Sequence, residues 1–313
     1  MSGAVFEGDA GLDERLELAL ARPELGATLE RARRLVRDNT AAMHERTPDW
    51  PDRVARARRI RRDATGRLDE LLDQYEGRLR ANGGTLIRAA TAEDATRAVL
   101  DVARRRGATL AAKGKSMVSE EIGLNEALEH GGVRPIETDL GEWICQLAGQ
   151  RPSHLLAPIV HMNRGEVADV MSIEAGELIG NDPATMVAWA RSQLRRTFLD
   201  AGIGITGANF LVAQTGTAIV LENEGNGRLV SSLPRTHVVV VGIEKLVERV
   251  SDAAFLVSHL ALAAIARELP SYVSWISGPA RDGDNGPDEL VVVVVDAGRR
   301  ALVGTPYEEV LSC

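Results

Sequence analysis

Hydrophobic positions recur at three- and four-residue spacing over residues 12–43 and again over 52–79, with Pro48 and Pro51 between the two runs. That period predicts two amphipathic helical stretches. Asn82-Gly83-Gly84 ends the second, because glycine supplies the left-handed residue at a helix C-terminus. Beyond it the texture changes to short strands alternating with helices. Residues 85–89, 109–112 and 134–137 read as strands; 92–106, a stretch opening at Ser119, and 140–148 read as helices. Asn181-Asp182-Pro183 caps a helix that runs to about Asp200, and 290–295 is an unbroken apolar run of the buried-strand type. Strands interleaved with helices predict βαβ units, hence an α/β fold with a mainly parallel sheet flanked by helices. The expected organisation is a helical N-terminal region, residues 1–82, followed by a single α/β domain over 83–313.

One segment is longer than chain reversal requires. Residues 209–213 and 217–221 pattern as a hairpin turning at Gln214-Thr215-Gly216-Thr217, and the next apolar run begins only after His237. Two residues suffice for a tight turn, whereas long loops in compact domains are functional or unstructured. Leu229, Val230, Leu233 and Pro234 argue against an unstructured segment. The intervening stretch, 222–236, carries Glu222, Asn223, Glu224, Gly225, Asn226, Arg228 and Arg235, a dense set of groups suited to binding.

Composition narrows the partners. The chain has 313 residues, 44% hydrophobic and 26% charged, within the range of soluble globular proteins. Its 45 acids against 37 bases, a net charge of -8, disfavour a nucleic-acid partner. The first residues lack the basic and apolar regions of a secretory signal. The apolar stretch 253–266 is too short for a bilayer span of about 20 residues. Two cysteines far apart in sequence, Cys145 and Cys313, suit a reducing cytoplasm without structural disulfides. The basic run 53–62 reads as a solvated helix face balanced by Asp49, Asp52, Asp63 and Asp69, with nucleic-acid binding as the alternative.

Arginine supplies nearly all the basic charge; the only lysines are Lys113, Lys115 and Lys245. Two of them fall in Lys113-Gly114-Lys115-Ser116, where a strand gives way to a helix. Ligands of open α/β sheets bind at such carboxyl ends. Glycine permits close approach, Ser116 or Ser119 suits a helix cap, and two compact ammonium groups suit a small anion. The complete P-loop pattern is absent. Gly202-Ile203-Gly204-Ile205-Thr206-Gly207 matches the dinucleotide fingerprint as a string, but a helix precedes it and a strand follows, the reverse of the Rossmann order. These glycines read as a helix cap and a tight strand entry. His154 and His161 flank Ala157-Pro158 and suggest another strand end entering a helix. Neither a self-contained metal motif nor a Gly-x-Ser-x-Gly elbow occurs.

Five stretches, residues 113–128, 137–144, 151–158, 204–210 and 224–234, together resemble the lactate utilization protein B family, over roughly residues 30–313. The resemblance implies a LUD domain, similar in fold to the sugar-isomerase and CoA-transferase superfamily. It also implies a ferredoxin-like module following that domain, and joint action with two partner proteins to oxidise L-lactate to pyruvate. The family's next segment would carry Cys-x-x-Cys-x-x-Cys-x-x-x-Cys-Pro, and Cys313 stands where its first cysteine would fall. A [4Fe-4S] cluster needs four thiolates, so no complete redox site is expected in this chain. The candidate site for a small anionic metabolite, lactate- or pyruvate-like or phosphorylated, comprises Lys113, Lys115, Ser116, Gly207, Asn209, Glu222, Glu224, Gly225, Asn226, Arg228 and His237. Two alternatives stay open: a stand-alone transferase or isomerase using Glu222 or Glu224 as nucleophile or base, and a non-catalytic module whose Arg-rich helices dock partner subunits.

Overall fold

A computed structural model describes residues 11–154 and 156–312. The first predicted run is two helices, α1 (Leu12–Leu20) and α2 (Pro23–Arg46); the second is α3 (Trp50–Thr65) and α4 (Leu68–Ala81), interrupted at Gly66. There follow β1 (Thr85–Ala89), α5 (Ala92–Arg105), β2 (Leu110–Lys113), α6 (Met117–Glu121), α7 (Leu124–His130) and β3 (Arg134–Glu137). The helix predicted from Ser119 is therefore two short ones, broken where Gly123 adopts a left-handed φ of 64°. The chain continues through α8 (Leu140–Leu147), α9 (Arg164–Ala175), α10 (Pro183–Asp200), β4 (Ile203–Thr206), β5 (Phe210–Val212) and β6 (Thr217–Glu222). It closes with α11 (Asn226–Ser232), β7 (Thr236–Gly242), β8 (Leu246–Val247), α12 (Val250–Ile265), β9 (Tyr272–Ile276) and β10 (Glu289–Val295).

The contacts divide the chain into two compact units, residues up to 42 with 137–196, and 43–136 with 197 onward. This division is discontinuous and does not follow the boundary expected at 82/83. The first unit holds α1, most of α2, α8, α9 and most of α10. Inside it Arg22 pairs with Glu166, Trp143 stacks on Trp189 at 5.4 Å, and Val167, Met171 and Leu194 are buried. Its described residues 148–154 and 156–163 form turns and bends rather than the strand end expected around Ala157. There His161 is held between the Ser153 hydroxyl at 2.6 Å and the Gln150 amide at 2.8 Å.

The second unit is built on two sheets. The larger is six-stranded and parallel, in the order β1-β10-β7-β4-β2-β3. The smaller, β8-β5-β6-β9, pairs β5 with β6 and β6 with β9 antiparallel. Valine-rich β7 and β10 are interior strands of the larger sheet with both faces covered, and side chains alternate between faces. Val238, Val240, Val291 and Val293 pack with Val99 and Val102 of α5 and with Leu124 and Leu128 of α7. Val239, Val241, Val292 and Val294 point the other way, into Leu71, Leu72, Tyr75 and Leu79 of α4 and Leu211 and Ala218 of the smaller sheet. A third layer joins Phe210, Val212 and Ile219 to Ala57 of α3 and to Ala253, Leu256 and Val257 of α12. The expected hairpin at 214–217 is present, but the smaller sheet as a whole was not legible from the strand pattern.

Candidate functional site

Because the larger sheet is parallel, its strands release their connections along one edge. β2 is followed by β3 on one side of it, whereas β4, its neighbour on the other side, is followed by β7 further inward. The connections after β2 and β4 thus diverge, which makes this pair the switch point where ligands of open α/β sheets bind. The lysine segment lies there. Lys113 is the last residue of β2, aligned with Ile205, and is 1% exposed. Gly114 N–H donates to the Ile205 carbonyl at 2.8 Å, and Lys115 is half-buried. Ser116 caps α6, its hydroxyl accepting from Ser119 N–H at 3.4 Å.

Gly207, the last glycine of the fingerprint-like string, faces this cap. A Cβ there would stand 3.0 Å from the Ser116 hydroxyl, so glycine lets the ends of β2 and β4 close on each other. Gly204 does similar work three residues earlier: any Cβ would collide with the Val230 carbonyl, so α11 lies directly against β4. The motif therefore serves packing and the approach of two segments, consistent with its reversed order of elements.

From Gly207 the chain leads to Asn209, whose N–H donates to the Ile219 carbonyl at 2.8 Å and whose side-chain oxygen accepts from Leu221 N–H at 2.9 Å. This fixes the end of β6 and thereby Glu222. The long segment that follows is not a loop throughout: it turns at Gly225, with φ 83°, and forms α11. Glu222 caps that helix, each carboxylate oxygen accepting a backbone N–H at 2.6 Å, from Gly227 and Arg228. Glu224 is exposed, Asn226 is half-buried, and the Arg228 guanidinium lies 5.5 Å from the centre of the Tyr272 ring. A groove of about 800 Å³ beside β9 takes in Arg228, Tyr272 and Trp275 but neither lysine nor Ser116.

His237 is not ahead of the second strand; it is the second residue of β7 and wholly buried. Its Nε2 lies 2.8 Å from the Thr206 hydroxyl, and its Nδ1 meets no hydrogen-bond partner among the described residues. Burial pushes its pKa down to about 3, so the ring is neutral at physiological pH. The structure thus brings Gly207 against Ser116, and separately ties Asn209 to the end of β6 and Glu222 to the start of α11. Cys313 lies outside the described residues.

Sequence reasoning overlooked a second cluster on the same edge. Glu244, just past β7, pairs with Arg299 at 2.7 Å, and Arg299 reaches Glu121 of α6 at 2.6 Å. Lys245 lies 3.6 Å from Glu244, and burial pushes its ammonium pKa down. Arg61 is buried and donates to the carbonyls of Glu244 and Leu311. Lys245, one of only three lysines, was the available signal.

The family model of the LUD domain matches residues 72–295. The chain belongs to the LUD domain family. Every residue of the candidate anion site lies within the matched span; Cys313 lies beyond it. Lactate utilization protein B of Bacillus velezensis is 38% identical over 308 residues, covering 98% of this chain and 65% of that protein. Uncharacterized electron transport protein YkgF of Escherichia coli is 39% identical over 266 residues, covering 85% of this chain and 55% of that protein. The chain therefore spans between half and two thirds of these relatives. Among solved structures, a DUF162 family protein from Deinococcus radiodurans matches with a TM-score of 0.39 and 16% identity, covering 73% of this chain and 98% of that one. No helix among the described residues is long and apolar enough to cross a membrane.

Proposed function

We propose that this LUD domain serves a cytoplasmic lactate-utilisation system that oxidises L-lactate to pyruvate, and that it binds a small anionic metabolite at the β2–β4 switch point. The names of the similar proteins, one for lactate utilization and one for electron transport, support the setting. The observation that carries the reading is the position of Lys113 and Lys115 at the carboxyl end of β2, beside Ser116 and Gly207. Withdrawn from water, an ammonium attracts a carboxylate or phosphate more strongly than it does on an open surface. In this reading Lys113 and Lys115 neutralise the anion, Ser116 and Asn209 orient it, and the α11 side, through Gly225, Asn226, Glu224 and Arg228, borders the site.

Electron transfer would fall to other parts of the assembly. A [4Fe-4S] cluster takes four thiolates, and this chain has two cysteines, of which Cys145 is buried within the first unit, its thiol 3.8 Å from the Pro158 carbonyl. These residues do not fit such a cluster, and no redox step is assigned to them. Among the described residues no group of three or more His, Cys, Asp or Glu side chains is arranged to hold a metal ion. The transferase reading needs a desolvated, available carboxylate; Glu222 is engaged in capping α11, which favours a positioning role for it. Docking through the Arg-rich α3 is compatible with metabolite binding, since that surface is separate in sequence and exposed at Arg56, Arg58, Arg59 and Arg62.

Isothermal titration of the full chain with sodium pyruvate, sodium L-lactate and sodium phosphate tests the proposal. Saturable binding of one of these, weakened about tenfold or more by Lys115→Ala, is the expected result. Equal binding by the variant would remove Lys115 from the site.

A further inference from the structure

The smaller sheet ends in an unguarded edge. Among the described residues β9 is paired on its β6 side alone, with Val273 opposite Leu221 and Trp275 opposite Ile219. Backbone groups of alternate residues in an antiparallel strand point to opposite neighbours, so part of the β9 backbone faces outward. The groove beside β9 follows this edge. Every residue from 271 to 280 lines it, although successive side chains point to opposite faces, and the surface they share is the outer backbone. Native edges are guarded by charges, proline or a bulge. Tyr272-Val273-Ser274-Trp275-Ile276 holds neither a charge nor a proline, and its register with β6 runs without a bulge. Tyr272 and Trp275 are exposed along it.

The same five residues are complementary to themselves. Laid antiparallel to a second copy and centred on Ser274, Tyr272 stands opposite Ile276, Val273 opposite Trp275, and Ser274 opposite its own counterpart. Each flanking pair sets an aromatic ring against a β-branched side chain, a combination that stabilises adjacent strands. The walls of the groove add opposite charges at its two ends. Arg228 stands over the Tyr272 ring at one end. Asp284 lies at the other, in the loop closed by the Ala280 N–H donating to the Pro287 carbonyl at 2.8 Å. Nearby Arg235 and Asp288 pair with each other at 2.9 Å, whereas Arg228 and Asp284 are in no ion pair among the described residues. Antiparallel pairing reverses the ends, and so brings Arg228 of each copy toward Asp284 of the other.

We propose that the β9 edge is a dimer interface whose occupant is the β9 edge of a second copy of this chain. A two-fold axis at Ser274, perpendicular to the sheet, joins two four-stranded sheets into one of eight, with aromatic and β-branched side chains paired on both faces. The inference is independent of the metabolite site at the β2–β4 switch point. Five paired residues make a small contact beside the roughly 1,200–2,000 Å² of a stable interface; the dimer is therefore weak and depends on concentration.

Sedimentation velocity of the full chain, over a concentration series reaching about 300 μM, tests it. The expected result is a sedimentation coefficient that rises with concentration toward that of a dimer. Arg228→Asp and Asp284→Arg each place like charges at both ends of the interface, and each should weaken association about tenfold. The double variant exchanges the two signs and should recover native association, which a folding defect in either single variant would not allow. A chain monomeric over the whole series overturns the proposal and leaves the edge to a strand of a different protein. A dimer indifferent to both single exchanges also overturns it, since its interface then lies elsewhere. Hydrogen–deuterium exchange of the native chain reads the same contact without a variant: exchange within 272–276 must slow as concentration rises, and unchanged exchange there overturns the proposal.

Discussion

Burial fixes the charge of His237, and with it a measurable dependence of stability on pH. Its folded pKa, about 3, lies below the ordinary 6.5, so between those values the unfolded chain binds a proton that the native chain refuses. Stability contributed by this neutral ring is therefore complete above pH 6.5 and is lost as pH falls. His161 and His259 are also shifted down by desolvation and act with the same sign. Urea unfolding at pH 7 and pH 5 should show the native chain losing about 2 kcal/mol more than His237→Gln over that interval. Equal losses would mean that the ring is hydrated. At the same scale, Lys113 is a buried lysine whose truncation would also leave a cavity, so Lys113→Met, which keeps the stem, is the fairer variant: anion binding, read by titration, should fall about tenfold or more.

At the scale of elements, α11 is the piece that the pattern of the sequence misrepresented. Residues 222–236 read as a loop because a seven-residue helix rich in Gly, Asn and Ser has little intrinsic helical signal. The helix persists through tertiary contacts: Glu222 caps it from the end of β6, and Gly204 admits its backbone against β4. Glu222→Ala should lower unfolding free energy by about 1–2 kcal/mol, measured by urea denaturation. Gly204→Ala should cost about 2 kcal/mol or more, because the new methyl meets backbone rather than a yielding side chain. A near-neutral Gly204→Ala would show that α11 does not rest on β4 in solution. By contrast β2, β7 and β10 were legible because fully buried parallel strands are unbroken apolar runs, and the hairpin at 214–217 because its turn residues are diagnostic. β9 escaped notice since Tyr272–Ile276 is an edge strand of mixed polarity, partly exposed along its length.

Over the whole molecule, sequence order hides what the sheet brings together. Lys113 and Gly207 are separated by a segment that includes residues 137–196 of the first compact unit, yet β2 and β4 are hydrogen-bonded neighbours. The lysine segment could be singled out from residue usage alone, but its partners Ile205 and Gly207 became apparent only through strand order. The glycine string that looked like a nucleotide motif is the second half of that junction. For the same reason the cluster of Glu121, Glu244 and Arg299 was invisible, since its members come from α6, the end of β7 and the end of β10. Hydrogen–deuterium exchange of the full chain, with and without saturating pyruvate or L-lactate, tests the location of the site most directly. Slower exchange in peptides covering 113–121 and 204–209 is the predicted result; protection confined to α3, or unchanged exchange throughout, would contradict it.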